Sequence, residues 1–252
     1  MNEMKRKILL LLSALMVCLL LSPLSAMSAS IKLTDPVTIK YGAIIRAYWD
    51  YFSQQDDNED AIDVLFTRIA KEINIEPDTN SQKGYELNCS FEPLFFAPGR
   101  VNLGCSLHDL NNDGIPELFI LEEDFTIHAI FSLVNDVPVL LGAYWSRNRC
   151  EVDEDGTFYN SGSSGASDNF FASYSYVGGD DLQLIRMIGM ETYDEEAGRS
   201  LPEPRYYLIE NGEKTIIDEK DAEADYMWGE VFIKPNALNL EFAPLFLISP
   251  ES

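Results

Sequence analysis

One short stretch carries most of the chemistry that this sequence offers. Asp109-Leu110-Asn111-Asn112-Asp113-Gly114-Ile115-Pro116-Glu117 places oxygen-bearing side chains at alternating positions, then a glycine, then a further acid. Calcium is a hard cation that takes about six to eight oxygen ligands, so such a loop suits it. Gly114 supplies the sharp turn, and the backbone carbonyl of Ile115 supplies another oxygen. Glu117 closes the shell directly or through water. The predicted ligands are therefore Asp109, Asn111, Asp113, Ile115 and Glu117, with calcium as the cofactor. The competing reading is a metal-free turn, because Asn and Asp before glycine bond to their own backbone. The stretch departs from a full EF-hand twice. Ile120 stands where the bidentate glutamate belongs, and Pro116 opens a strand-like run rather than a helix.

Other chemistry is sparse. Only two histidines occur, His108 and His128, so zinc sites of the HExxH kind are excluded. Gly162-Ser163-Ser164-Gly165-Ala166 approaches a nucleophile elbow. Both histidines precede it, whereas that hydrolase order needs the histidine last. The run from Ser161 to Ser167 reads instead as a flexible surface loop. Cys105 and His108 lie three apart in a predicted strand and so face opposite ways. No P-loop and no Rossmann glycine pattern appear. A carboxylate pair of the glycosidase type has no local spacing rule, so a secreted hydrolase is the alternative to a non-catalytic domain. Tyr174, Tyr176, Tyr193, Tyr206, Tyr207, Tyr226 and Trp228 offer a glycan- or peptide-binding face, although such residues more often fill a β core.

The elements that must position the loop are legible around it. After Asp35-Pro36, apolar residues recur at helical spacing from Val37 to Phe52. Asp56-Asp57-Asn58 then caps a second amphipathic helix from Ile62 to Ile73, which Pro77 ends. Residues 78–92 read as a loop. Val101–His108, Pro116–Leu121, Thr126–Leu133 and Val137–Tyr144 are rich in β-formers. Turn signals separate them, and Asp155-Gly156 and Asn211-Gly212 mark further hairpins. Asp218 caps a short helix reaching Tyr226 to Trp228. Short links between strands imply antiparallel pairing. The predicted fold is α+β: an N-terminal amphipathic helix pair, a mainly antiparallel β-sheet with hairpins, and a short C-terminal helix.

The strand-flanked loop resembles the calcium loops of FG-GAP and VCBS-type repeats, although only one convincing copy is present. A wider likeness rests on "HDLNNDGIPELFIL" and "DEDGTFYNSGSSGA". In this order they resemble uncharacterised secreted proteins of Firmicutes, in which a DxDGDGxPELxI strand precedes a DGxxYxxGSxGA segment. Asp109–Ile120 matches the first with Asn at two positions, and Asp155–Ala166 matches the second. The resemblance implies export and calcium; it implies no activity.

Export is also read from the N-terminus. Lys5, Arg6 and Lys7 precede an apolar run from Ile8 to Leu21, which Ser22-Pro23 and small residues follow. That is the layout of a secretory signal, with cleavage expected after Ser28. The run falls short of the roughly 20 residues that span a bilayer. Val17 before Cys18 and leucines after it do not make a lipobox, so no lipid anchor is expected. The predicted organisation is a signal at 1–28 and one secreted domain at 29–252, with helices up to residue 92 and strands from 93. The chain carries a net charge of −24. Without Glu3, Lys5, Arg6 and Lys7 the remainder is two charges more acidic, at −26. Such a charge argues against nucleic acid and anionic membranes as partners. It leaves an extracellular protein or glycan. Three cysteines remain, Cys89, Cys105 and Cys150, so at most one internal disulfide is possible. The other reading is three buried thiols.

Overall fold

Among the described residues, apolar periodicity and β-former runs resolve into three longer helices followed by eleven strands in a computed structural model of the protein. It describes residues 36–54, 59–78, 80–92, 94, 102–163, 169–194, 198–222 and 237–245. The signal segment, Cys18, the cap at 56–58, Ser164 to Ser167, Tyr226 and Trp228 lie outside the described residues.

Helix α1 (Pro36–Gln54) and helix α2 (Glu59–Glu72) pack on each other. Their stripes bury Tyr41, Ile44, Ile45 and Tyr48 from the first, and Leu65, Phe66 and Ile69 from the second. The segment expected to be a loop contains a third helix, α3 (Gln82–Cys89). Ser81 starts it as an extended N-cap whose hydroxyl accepts the Gly84 amide at 3.1 Å. Only Gly84 and Leu87 of this polar helix are buried, so its sequence carries little apolar rhythm.

The strands are β1 (Leu103–His108), β2 (Glu117–Glu122), β3 (Ile127–Val134), β4 (Val137–Ala143), β5 (Asn148–Val152), β6 (Thr157–Ser163), β7 (Asn169–Ser175), β8 (Gln183–Asp194), β9 (Arg199–Glu210), β10 (Glu213–Ile217) and β11 (Ala243–Pro244). They form two antiparallel sheets rather than one. The five-stranded sheet runs β11-β1-β2-β3-β4, and the six-stranded sheet runs β10-β9-β8-β7-β6-β5. The fold is thus α+β and mainly antiparallel.

The five-stranded sheet is the middle layer. Cys105, Leu118, Ile120, Ala129 and Phe131 join the helices in one apolar cluster. Phe119, Leu121 and Ile130 point the other way and meet Cys150, Val152 and Phe158 of the second sheet. Burial on both faces explains why β2 and β3 read as continuous apolar runs. One further stretch differs from expectation. Ser161 to Ser163 is not a loop but the end of β6, paired with Phe171, Phe170 and Asn169. The Phe170 ring lies where a Gly162 side chain would stand, so the small residues make room for packing. The helix begun at Asp218 is seen at 219–222, where the Asp218 carboxylate accepts the Asp221 amide at 2.9 Å. No helix among the described residues is long and apolar enough to cross a membrane.

Candidate functional site

The Asp109–Pro116 stretch is the connection between β1 and β2, with His108 and Glu117 paired at its base. Its side chains fold back on their own backbone. Asp109 accepts the Asp113 amide at 3.1 Å with one oxygen and the Gly114 amide at 2.8 Å with the other. The Asn111 carbonyl oxygen accepts the Asp113 amide at 3.2 Å, and its amide donates to Asp113 Oδ2 at 3.0 Å. Asp113 Oδ1 accepts the Ile115 amide at 2.8 Å. Gly114 holds φ +86°, which a side chain rarely adopts. These are Asx-type turns. They bring Asp109, Asn111 and Asp113 onto the inside of one loop, and each carbonyl-type oxygen retains a lone pair beyond the bond named.

Glu117 is placed differently from the other predicted ligands. It is buried beneath the loop, with Oε2 accepting the Leu110 amide at 2.9 Å and Oε1 accepting the Ser132 hydroxyl at 3.1 Å. Burial pushes its pKa up to about 7 against these two bonds. Ser132 in turn lies 2.6 Å from the Tyr176 hydroxyl, which is 3.3 Å from the Gly179 carbonyl. Counting protons along this chain links it to Glu117. Serine and tyrosine carry one donor each. An ionised Glu117 draws both donors toward itself and leaves Gly179 without one. A protonated Glu117 donates to Ser132, and the chain then reaches Gly179. Among the described residues, no group of three or more His, Cys, Asp or Glu side chains is gathered in a metal-binding arrangement. The three carboxylates of the predicted set, Asp109, Asp113 and Glu117, are therefore not gathered as such a group.

Neighbouring elements pin the loop. The Tyr41 hydroxyl of α1 reaches the Pro116 carbonyl at 3.1 Å and the Phe131 carbonyl at 3.3 Å. The β5–β6 turn is organised by buried Asp153, which accepts the Asp155 and Thr157 amides at 3.0 and 2.9 Å and the Tyr159 hydroxyl at 3.1 Å. That turn presents Gly156, at φ +76°, so closely that an added Cβ would stand 2.6 Å from the Leu110 carbonyl oxygen. The two segments that carried the sequence resemblance therefore meet here.

Other candidates separate. Cys89, Cys105 and Cys150 are all free thiols. Burial pushes Cys105 and Cys150 up to about 12, so neither is a ready nucleophile. Ser163 lies in β6, not on a strand-to-helix turn. Tyr174 and Tyr176 border the second apolar cluster, while Tyr206 and Tyr207 are sequence neighbours on β9 and so face opposite ways. The described tyrosines do not form one binding face.

A cleft of about 530 Å³ opens between the β2–β3 turn, the β4–β5 corner, β5 and residues 237–240. On its wall, buried His128 has Nδ1 3.2 Å from the Ser90 carbonyl and Nε2 2.8 Å from Glu122 Oε1. No local spacing marks this cleft, because its walls come from separated segments.

No family model matches the chain, and no curated protein matches it. A solved structure of a Xanthomonas Type IV secretion system related protein is similar at 13% identity and a TM-score of 0.26. The match covers 45% of this chain and 57% of that one. A likeness this slight establishes neither a shared fold nor a role.

Proposed function

We propose that the protein is an exported, non-catalytic domain that binds an extracellular partner and carries one structural calcium ion in the loop 109–117. The observation that supports the metal reading is that the side-chain oxygens of Asp109, Asn111 and Asp113 all turn back onto amides of one glycine-turned loop. Calcium suits this set because it accepts many oxygens in flexible geometry, with water completing the shell. Asp109, Asn111, Asp113 and the Ile115 carbonyl hold the ion. Glu117, already bonded to Leu110 and Ser132, adds charge from below and fixes the loop's first turn. The ion's effect is to neutralise acids that would otherwise repel, which orders the loop against α1 and the β5–β6 turn. Export rests on the N-terminal charge and apolar pattern. The non-catalytic reading rests on two thiols with raised pKa values and on a histidine whose ring nitrogens both have partners.

Calcium titration by calorimetry tests the metal reading. The protein binds at millimolar calcium or below, and Asp109→Ala/Asp113→Ala loses that binding while keeping its circular dichroism spectrum. A protein that binds no calcium at millimolar concentration reduces the loop to an Asx turn.

A further inference from the structure

We propose that Tyr176 is the positioning residue of the 109–117 loop, acting through Ser132 on the Glu117 carboxylate and so setting how tightly the loop takes calcium. The effect on calcium rests on the calcium reading above; the positioning of Glu117 does not. Tyr176 touches neither the loop's side chains nor its backbone by any hydrogen bond of its own, so whatever it does there passes through Ser132.

The Leu110 amide fixes only one carboxylate oxygen of Glu117, Oε2, at 2.9 Å. Oε1 is fixed by the Ser132 hydroxyl at 3.1 Å, and the two bonds together set the plane of the carboxylate. A serine hydroxyl turns freely unless a further partner holds it. The Tyr176 hydroxyl, 2.6 Å away on a rigid ring, is that partner. Tyr176, Ser132 and Glu117 are all buried, and within such a chain each bond steadies the next. The contact between Ser132 and Tyr176 holds in either charge state of Glu117. With the carboxylate ionised, Tyr176 donates to Ser132; with it protonated, Ser132 donates to Tyr176. The positioning is therefore independent of titration in the loop.

Tyr176 can serve as a fixed point because it is held on both sides. Its ring belongs to the apolar cluster between the two sheets. The β7–β8 turn that follows it is pinned from α3, where Lys83 donates to the Asp180 carbonyl at 2.6 Å and pairs with the Asp181 carboxylate at 3.3 Å. Between these anchors Gly178, at φ +105°, passes the loop so closely that an added Cβ would stand 3.4 Å from Asn111 Nδ2. Tyr41, the other hydroxyl at the loop, reaches the Pro116 and Phe131 carbonyls instead of this chain.

Tyr176→Phe keeps the ring and removes the hydroxyl. Its Leu110 amide is expected to exchange with solvent at least threefold faster than the wild type's in metal-free buffer, through local opening of the loop. Its calcium dissociation constant, measured by calorimetry at the same pH, is expected to rise at least threefold. Ile69→Val, a truncation in the helix cluster, is the control for lost stability and is expected to move neither readout. The route through Ser132 is tested by a double-mutant cycle. Ser132→Ala/Tyr176→Phe is expected to show no greater loss than Ser132→Ala alone, and additive losses overturn the route. An unchanged Leu110 exchange rate in Tyr176→Phe overturns the positioning. Calcium binding of equal affinity in wild type and Tyr176→Phe overturns the effect on the metal while the calcium reading stands. A wild type that binds no calcium overturns that effect together with the calcium reading, and Leu110 exchange then decides the positioning by itself.

Discussion

Glu117 sets the pH behaviour of the loop. Its carboxyl has a pKa of about 7 in the folded protein, against an ordinary value of 4.5, because burial disfavours the charge. The folded state therefore holds this proton more tightly than the unfolded chain does. The resulting stabilisation is complete below about pH 4.5 and is lost as pH rises through about 7. At roughly 1.4 kcal/mol per pKa unit, the loss approaches about 3 kcal/mol. Glu117→Gln cannot ionise and keeps a donor for Ser132. In the presence of a chelator, its urea-unfolding stability is expected to fall less between pH 5 and pH 7.5 than the wild type's. Equal pH slopes would mean that Glu117 is ionised throughout. The loop residues themselves were legible in the sequence as alternating oxygens. The inward turn of Glu117 was not, because its partner Ser132 comes from β3 and Tyr176 from just past β7, both remote in sequence.

Elements carry the loop, and the β5–β6 turn is the most sensitive of them. Gly156 combines φ +76° with an approach that leaves no room for a Cβ beside the Leu110 carbonyl. Gly156→Ala is expected to destabilise by about 1–3 kcal/mol, through backbone strain and displacement of the loop. Hydrogen exchange checks the mechanism, since the Leu110, Asp113 and Gly114 amides should exchange faster. Unchanged protection would place the strain in the β5–β6 turn alone. At the start of α3, Ser81→Ala removes the cap on the Gly84 amide and is expected to cost about 1 kcal/mol in chemical denaturation. An unchanged midpoint would mean that water replaces the cap. The strands from Leu103 to Ala143 could be read from their β-former runs and turns because those signals are local. Helix α3 was hidden because its buried surface is mostly Leu87 and a glycine. The end of β6 was hidden because serines and glycines resemble a linker until Phe170 is seen lying over Gly162. The division into two sheets was not legible either, since it depends on which faces of β2 and β3 each layer covers.

The whole molecule is under electrostatic tension from its charge of −24. Like charges spread over a surface repel, and folding brings them closer than they are in the extended chain. Monovalent salt screens this over about 10 Å at 0.1 M, so it acts on every acid at once. The calcium proposed for the loop would act at one place by binding the folded state, with an effect that grows with the logarithm of concentration. The two contributions separate by experiment. Raising sodium chloride from 20 to 300 mM is expected to raise the melting temperature of both wild type and Asp109→Ala/Asp113→Ala. A gain of roughly 1 kcal/mol corresponds to about 2–4 °C at this size. Adding millimolar calcium at constant ionic strength should then raise only the wild type further. If both proteins respond equally to calcium, the ion acts on the diffuse acidic surface, and the loop is stabilised by its own hydrogen bonds. If only the wild type responds, charge neutralisation is concentrated between Asp109 and Asp113. The loop would then fasten β1 and β2 to α1 and the second sheet, at the point where Tyr41 and Gly156 already meet it.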